Sequence, residues 1–343
     1  PVLATAIRRH RRQQKRDVSN NLSTIFESER LDLTEYPSKD VILHLTGGGF
    51  FAHTIAGDVP FLMDWSAKTN AVVICPEYAL LPAHTFPTAI DEVTLVYTSI
   101  VSGNSAHTLG FQMDRIIVTG ESAGGNLGAA LCVKLCMDGL VDVEALNAKR
   151  RRCQRTGEAG RIDDDLEQGG DEDSTGGNKD DDNNGRPTTN PGKVCRPPEI
   201  HLPDAIMLCC PALNLSLEPT PSRVIGTRDP VLPSSLIATI SDAYIPPSLG
   251  ISKINPIASP YYASDDILRI FPPTLLYASS KDPLLDDSVH FNARLRRLGV
   301  DSDLRAAQDM PHAYWGLGGF GLHPEASQVQ RECEEWMVRQ LHR

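Results

Sequence analysis

Nowhere in this chain of 343 residues do apolar residues run on for the roughly 18 positions that a membrane-spanning helix requires. No apolar h-region of the secretory type opens it either. The eight cysteines form no CxxC pair, and no histidine stands at zinc spacing from them. No metal is therefore expected, and the thiols read as buried side chains in a reducing, cytoplasmic setting. No strand-like run is followed by GxxxxGK[ST] or GxGxxG, which excludes the common phosphate cradles. No basic stripe points to a nucleic-acid partner, and no internal repeat is visible.

What is present suits one large α/β domain or two modest ones, with 41% hydrophobic residues to build a core. The net charge of −11 is concentrated, because residues 161–190 hold ten acids against three basic residues. From 149 to 198 the chain is Gly, Asp, Asn and Pro with almost no apolar side chains. Such a segment cannot bury enough surface to offset its ordering entropy, so it reads as a disordered acidic insertion looping out of one domain. Residues 1–40 then form a lead-in or cap segment, and 41–148 and 199–343 are two parts of one core. The basic run Arg8, Arg9, Arg11, Arg12, Lys15 and Arg16 reads most simply as solvated, and secondarily as attracted to an anionic lipid surface.

Apolar strand-like runs recur at 41–45, 71–75, 115–119, 205–210 and 274–279. Helical patterns alternate with them: Ala89, Val93, Val96 and Ile100 share a face, and Asn126 to Met137 is rich in alanine and leucine. A third runs from Leu285 through Val289 and Ala293 to Leu298, where Gly299 stops it. This alternation predicts a mainly parallel sheet with helices on both faces.

The third strand runs outward into "GESAGGN". Gly120-Glu121-Ser122-Ala123-Gly124 is G-x-S-x-G where strand gives way to helix, a turn that lifts a serine hydroxyl above the sheet edge. A serine nucleophile needs a base, and the base needs an orienting acid, here in the chain order Ser, acid, His. Asp282 at a strand's carboxyl end and His312 in the loop after "DLRAAQDMP" suit those roles. Asp286 and Asp287 fall in a first helical turn, where compensating the helix dipole is the expected role. His290 lies on that helix's flank and His323 beyond a Gly-rich loop. The run Gly47, Gly48, Gly49 after the first strand then has a purpose. An oxyanion must be held by main-chain N–H groups, one from Ala123 and others from a loop where a Cβ would meet the acyl group.

These stretches resemble the hormone-sensitive lipase family of serine hydrolases: "GGGF", "PEYALLPAHTFPTAIDEV", "GESAGGN", "DPLLDDS" and "MPHAYW". "PSRVIGTRDPVLP" and "NPIASPYYASDDILRIFPPTLLYAS" bring the likeness nearer to the eukaryotic lipases of that family. The resemblance implies an α/β-hydrolase fold, a triad of Ser122, Asp282 and His312, and an oxyanion hole of Gly48, Gly49 and Ala123. It also implies a cap drawn from the N-terminal residues and from about 213–258. Substrates would be lipid esters (acylglycerols or sterol esters) cleaved without cofactor, with small soluble acyl esters as the alternative and lipid-droplet association as a corollary. A non-catalytic small-molecule binder on the same fold is a further alternative, disfavoured because His312 is present. One departure stands out. Where the family has HGGG this chain has Thr46-Gly47-Gly48-Gly49, so the Thr46 hydroxyl or nearby His44 is expected to supply the loop's hydrogen bond.

Overall fold

In the computed structural model, residues 4–7, 39–102, 109–156 and 200–343 are described. Along the chain come β1 (Ala4–Ile7), β2 (Asp40–Leu45), α1 (Ile55–Thr69), β3 (Val72–Pro76), α2 (Thr88–Val101), β4 (Arg115–Glu121), α3 (Ala123–Met137) and α4 (Val143–Thr156). Then follow β5 (Ala205–Cys209), α5 (Pro221–Ile225), α6 (Ser234–Tyr244), α7 (Asp265–Arg269), β6 (Thr274–Ser279), α8 (Leu285–Arg297), β7 (Ser302–Ala307), α9 (Trp315–Gly319) and α10 (Pro324–Leu341). The seven strands make one sheet in the order β1-β3-β2-β4-β5-β6-β7, parallel throughout except for β1 at the edge. This is the expected α/β-hydrolase architecture.

The strands read as continuous apolar runs because both sheet faces are covered. Side chains alternate between the faces with a period of two. Val41, Leu43 and Leu45 of β2 join one core with residues of α2, α3 and α8. Ile42 enters a second core with Phe61 and Trp65 of α1 and Trp336 of α10. Each fully buried Leu, Ile or Val contributes about 1.5–3 kcal/mol relative to exposure. Register sets Leu45 beside Gly120, Glu121 beside Cys209, and Ser279 beside Ala307. The carboxyl ends of β2, β4, β6 and β7 therefore open on a common edge, where ligands bind in such sheets.

Two features depart from the sequence reading. The N-terminal segment expected as lead-in or cap contributes a sheet strand at 4–7, antiparallel to β3. The basic run at 8–16 lies outside the described residues. The acidic insertion was expected from 149, but α4 continues to Thr156. That stretch is rich in good helix formers, and the Arg150 guanidinium anchors it by donating to the carbonyls of Arg269 and Gly299. Residues 157–199 lie outside the described residues.

The segment expected as a cap, about 213–258, contains α5 and α6 and runs over the site edge. Tyr244 stacks on Phe50 at 3.8 Å, and its carbonyl accepts the Phe86 N–H. The Ser222 N–H donates to Asp286 beyond β6, at 2.7 Å. Asp229 accepts the N–H of His312 beyond β7, at 2.9 Å.

Candidate active site

Ser122 sits between β4 and α3 at φ 54°, ψ −114°, a region that L side chains rarely adopt. Holding it there costs on the order of 1–3 kcal/mol, which the surroundings must over-determine. They do so through the main chain. The Ser122 N–H donates to the Cys209 carbonyl at 2.9 Å, and the Ser122 carbonyl accepts from Asn126 and Ala212 at 3.0 and 3.1 Å. The flanking glycines answer to close approach. A Cβ on Gly124 would lie 1.9 Å from the Leu45 carbonyl oxygen, and one on Gly120 would lie 2.5 Å from that of Gly124. Since α3 starts at Ala123, its positive end faces the serine.

Asp282 follows β6 and is 1% exposed. Its Oδ1 accepts the Leu284 N–H at 2.8 Å, which leaves Oδ2 for His312 Nδ1 at 2.9 Å. The other ring nitrogen, Nε2, lies 2.8 Å from Ser122 Oγ. Nδ1 therefore carries the proton that faces the carboxylate, and Nε2 accepts from the hydroxyl. Burial opposes a charge on His312, but the Asp282 carboxylate outweighs it and holds the imidazole pKa well above its ordinary value. That direction makes the imidazole readier to take up a proton.

The structure thus brings Ser122, Asp282 and His312 into one hydrogen-bonded line. It leaves the rival residues elsewhere. Exposed His290 has its Nδ1 3.4 Å from the Tyr261 hydroxyl, and exposed His323 caps α10. Asp286 and Asp287 occupy the first turn of α8 as expected, but dipole compensation understates them. Asp286 accepts from the cap, and buried Asp287 pairs with Arg223 Nη2 at 2.7 Å. Burial pushes the Asp287 carboxyl up to about 7, against the pull of Arg223.

Gly48 and Gly49 take φ of 113° and 62°, and the Gly48 carbonyl accepts from Phe51 and Ala52, both at 3.1 Å. Gly47 faces Ser122, since a Cβ there would lie 3.7 Å from that of the serine. A Cβ on Gly49 would lie 2.9 Å from Ile240 Cδ1 of α6, so the loop is roofed by the cap. Of the two residues expected to brace this loop, only Thr46 does so. Its hydroxyl meets His53 Nδ1 at 3.2 Å, while His53 Nε2 donates to the Tyr78 carbonyl at 3.1 Å. The Tyr78 hydroxyl closes the circuit on the Thr46 carbonyl at 2.8 Å. His44 points into the other face, between Thr119 and Asp58 at 2.9 and 3.3 Å, because alternation along β2 turns it away.

Sequence reasoning missed His53, Asp229, Arg223 and Glu121. Arg223 and Asp229 lie within the quoted stretch PSRVIGTRDPVLP and Glu121 within GESAGGN, but none had a role assigned to it; His53 falls in no quoted motif. The Glu121 carboxyl is buried beneath the serine and accepts the Trp315 N–H at 3.3 Å. Burial and then the nearby Asp58 charge raise it to about 7. The buried Cys210 places its sulfur within 4.8 Å of donor atoms of Asp282 and His312.

A family profile described as the α/β-hydrolase fold matches residues 42–148 and 185–316. Hormone-sensitive lipase of Mus musculus is 25% identical over 450 aligned residues, covering 97% of this chain and 59% of the lipase. An esterase of Gibberella moniliformis is 23% identical, with 89% of this chain and 76% of the esterase covered. Among solved structures, carboxyl esterase 2 of Tuber melanosporum superposes with a TM-score of 0.65 at 18% identity, over 88% of this chain and 79% of that one. The chain spans about three-fifths of the length of the mouse lipase it matches.

Proposed function

Because the chain belongs to the α/β-hydrolase family, we propose that it is a serine carboxylic-ester hydrolase working through an acyl-enzyme, with lipid esters as substrates. The observation that carries this reading is the 2.8 Å approach of Ser122 Oγ to His312 Nε2, with Asp282 at 2.9 Å behind Nδ1. In the first step His312 takes the hydroxyl proton as Oγ attacks the acyl carbonyl, and Asp282 stabilises the resulting imidazolium. The oxyanion is held by the N–H groups of Ala123, Gly48 and Gly49, preorganised by the helix end and the left-handed loop. His312 then returns its proton to the departing alcohol. A water activated by the same imidazole releases the acid, and no cofactor takes part.

The preference for lipid esters is supported by the cap. A cavity of about 330 Å³ there is lined by Leu217, Val224, Ile237 and Ala238, among others. Val224, Ile225 and Val231 nearby are 64%, 78% and 49% exposed, an apolar rim suited to a lipid surface. Helix α6 joins this cavity to the oxyanion loop, since Ile237 lines the one and Ile240 touches the other. No helix of the described residues is long and apolar enough to cross a membrane. The alternative, small soluble esters, shares the same chemistry, and the fungal esterase likeness is compatible with it.

Rates on nitrophenyl esters of two to eighteen acyl carbons, for wild type and Ser122→Ala, test both levels. Turnover should fall on the order of 10⁴-fold or more in the variant, because the three residues act as a unit. A fluorophosphonate should label the wild type once and the variant not at all. Labelling elsewhere removes the serine assignment, and a maximum at two to four carbons removes the lipid preference.

A further inference from the structure

His312 stands in a loop with little regular structure of its own. Asp309 and Ala313 on either side take φ of 57° and 56°, and Pro311 precedes the histidine. Two anchors hold the main chain between them. From the β6 side, the Ser279 hydroxyl donates to the Met310 carbonyl. From the cap, Asp229 Oδ2 accepts the N–H of His312 itself at 2.9 Å.

Asp229 is 6% exposed and lies 83 residues before His312 in the chain. Its other oxygen, Oδ1, accepts the N–H groups of Val231 and Leu232 at 2.8 and 2.7 Å. One buried carboxylate thus closes its own turn with one oxygen and seats the histidine with the other. Neighbouring cap contacts fix where that carboxylate stands. Ser222 of α5 is bonded to Asp286 and to the Pro283 carbonyl, and Arg223 to Asp287, so this stretch is tied to the loop that carries Asp282.

We propose that Asp229 is a positioning residue for His312: the cap, besides covering the site, sets the histidine at its working distance from Ser122 and Asp282. The inference rests on the reading of His312 as general base. It has a geometric reason. The ring must meet hydroxyl and carboxylate at 2.8 and 2.9 Å together, and a displacement of about 1 Å in such a site can cost 10²-fold in rate. Only one of the two anchors belongs to the hydrolase core. The other arrives with the cap, so loosening the cap at this point should slow chemistry rather than weaken substrate binding.

Asp229→Asn tests this, because an amide keeps the shape but offers only one acceptor oxygen. That oxygen can still serve Val231 and Leu232, whereupon the NH₂ group opposes the His312 N–H. The expected result is a kcat lower by about 10- to 100-fold with KM within about twofold, and thermal unfolding close to wild type. Labelling of Ser122 by a fluorophosphonate should slow in parallel, since it uses the same base. The inference is overturned if kcat stays within twofold of wild type. It is equally overturned if KM rises while kcat holds, which would mark Asp229 as a binding element of the cap. His312→Ala, measured alongside, separates the two levels. If that variant keeps its activity the base assignment fails, whereas a neutral Asp229→Asn beside an inactive His312→Ala defeats this inference alone.

Discussion

Thr46→Val should slow turnover about five- to tenfold without changing KM, and the reason lies in a three-residue brace. Tyr78 offers only a carbonyl to His53 Nε2, so that nitrogen must carry the proton and Nδ1 must accept from the Thr46 hydroxyl. Valine keeps the volume of threonine and deletes that donor alone. One neutral hydrogen bond contributes about 0.5–1.5 kcal/mol, and 1.4 kcal/mol is a factor of about ten. The effect stays below the 10²–10³-fold cost of losing a direct oxyanion donor, because Thr46 acts on the N–H groups only through the loop. His53→Leu removes both of that residue's bonds and should cost about the same. If the pair works as one brace, the double variant should lose about tenfold, not the hundredfold of independent effects. The assay is steady-state hydrolysis of a short-chain nitrophenyl ester by wild type, both single variants and the double. Multiplying losses, or a Thr46→Val variant indistinguishable from wild type, would refute the brace.

Three further outcomes follow from the same geometry. Asp282→Asn should cost about 10³–10⁴-fold by freeing the His312 tautomer, while Asp286→Asn should cost less than about tenfold, because its amide oxygen can still accept from Ser222; comparing the two kcat values checks the choice of acid. Glu121 has its carboxyl raised from 4.5 to about 7, so the folded state holds the proton more tightly and its favourable contribution is lost as pH rises through that window. Glu121→Gln should therefore match wild type in denaturant unfolding near pH 4.5 and exceed it by up to about 3 kcal/mol at pH 8, with a pH-independent difference counting against the assignment. Arg223→Met leaves Asp287 buried without its cation and should destabilise by about 3–5 kcal/mol at pH 8, and by less at pH 5, where Asp287 can take up a proton; equal losses at both pH values would show that packing, not charge, dominates.

Which of these residues could be read in advance follows from how each is encoded. Ser122, Asp282 and His312 were legible because their positions are set by strand ends, and strands are written locally as apolar runs bounded by turns. Parallel register then carries local signals into a shared edge, so three residues far apart in sequence meet without further information. The braces are a different case. Asp229, His53 and Arg223 act through side-chain contacts that span 83, 25 and 64 residues of the chain. Such a contact has no periodicity, and one Asp before a proline looks like any turn former. His44 misled for the opposite reason. Its nearness to the glycine loop in sequence suggested a bracing role, yet the period of two along β2 sends its ring through the sheet to Asp58. Counting two residues back from Thr46 does not reverse that face assignment, because Thr46 already lies beyond the strand, where the backbone turns. The helix from 143 escaped notice because its later half is charged and runs toward an acidic tract, so composition outvoted propensity there. What holds it is again non-local: the Asn147 side chain donates to the Asp266 carbonyl at 3.0 Å, beside the Arg150 contacts. The Ser122–His312–Asp282 line is thus encoded in elements and its supports in contacts distant in sequence, and under the proposed function a variant in a support should change kcat in proportion to how directly it bears on Ser122, His312 or the glycine loop.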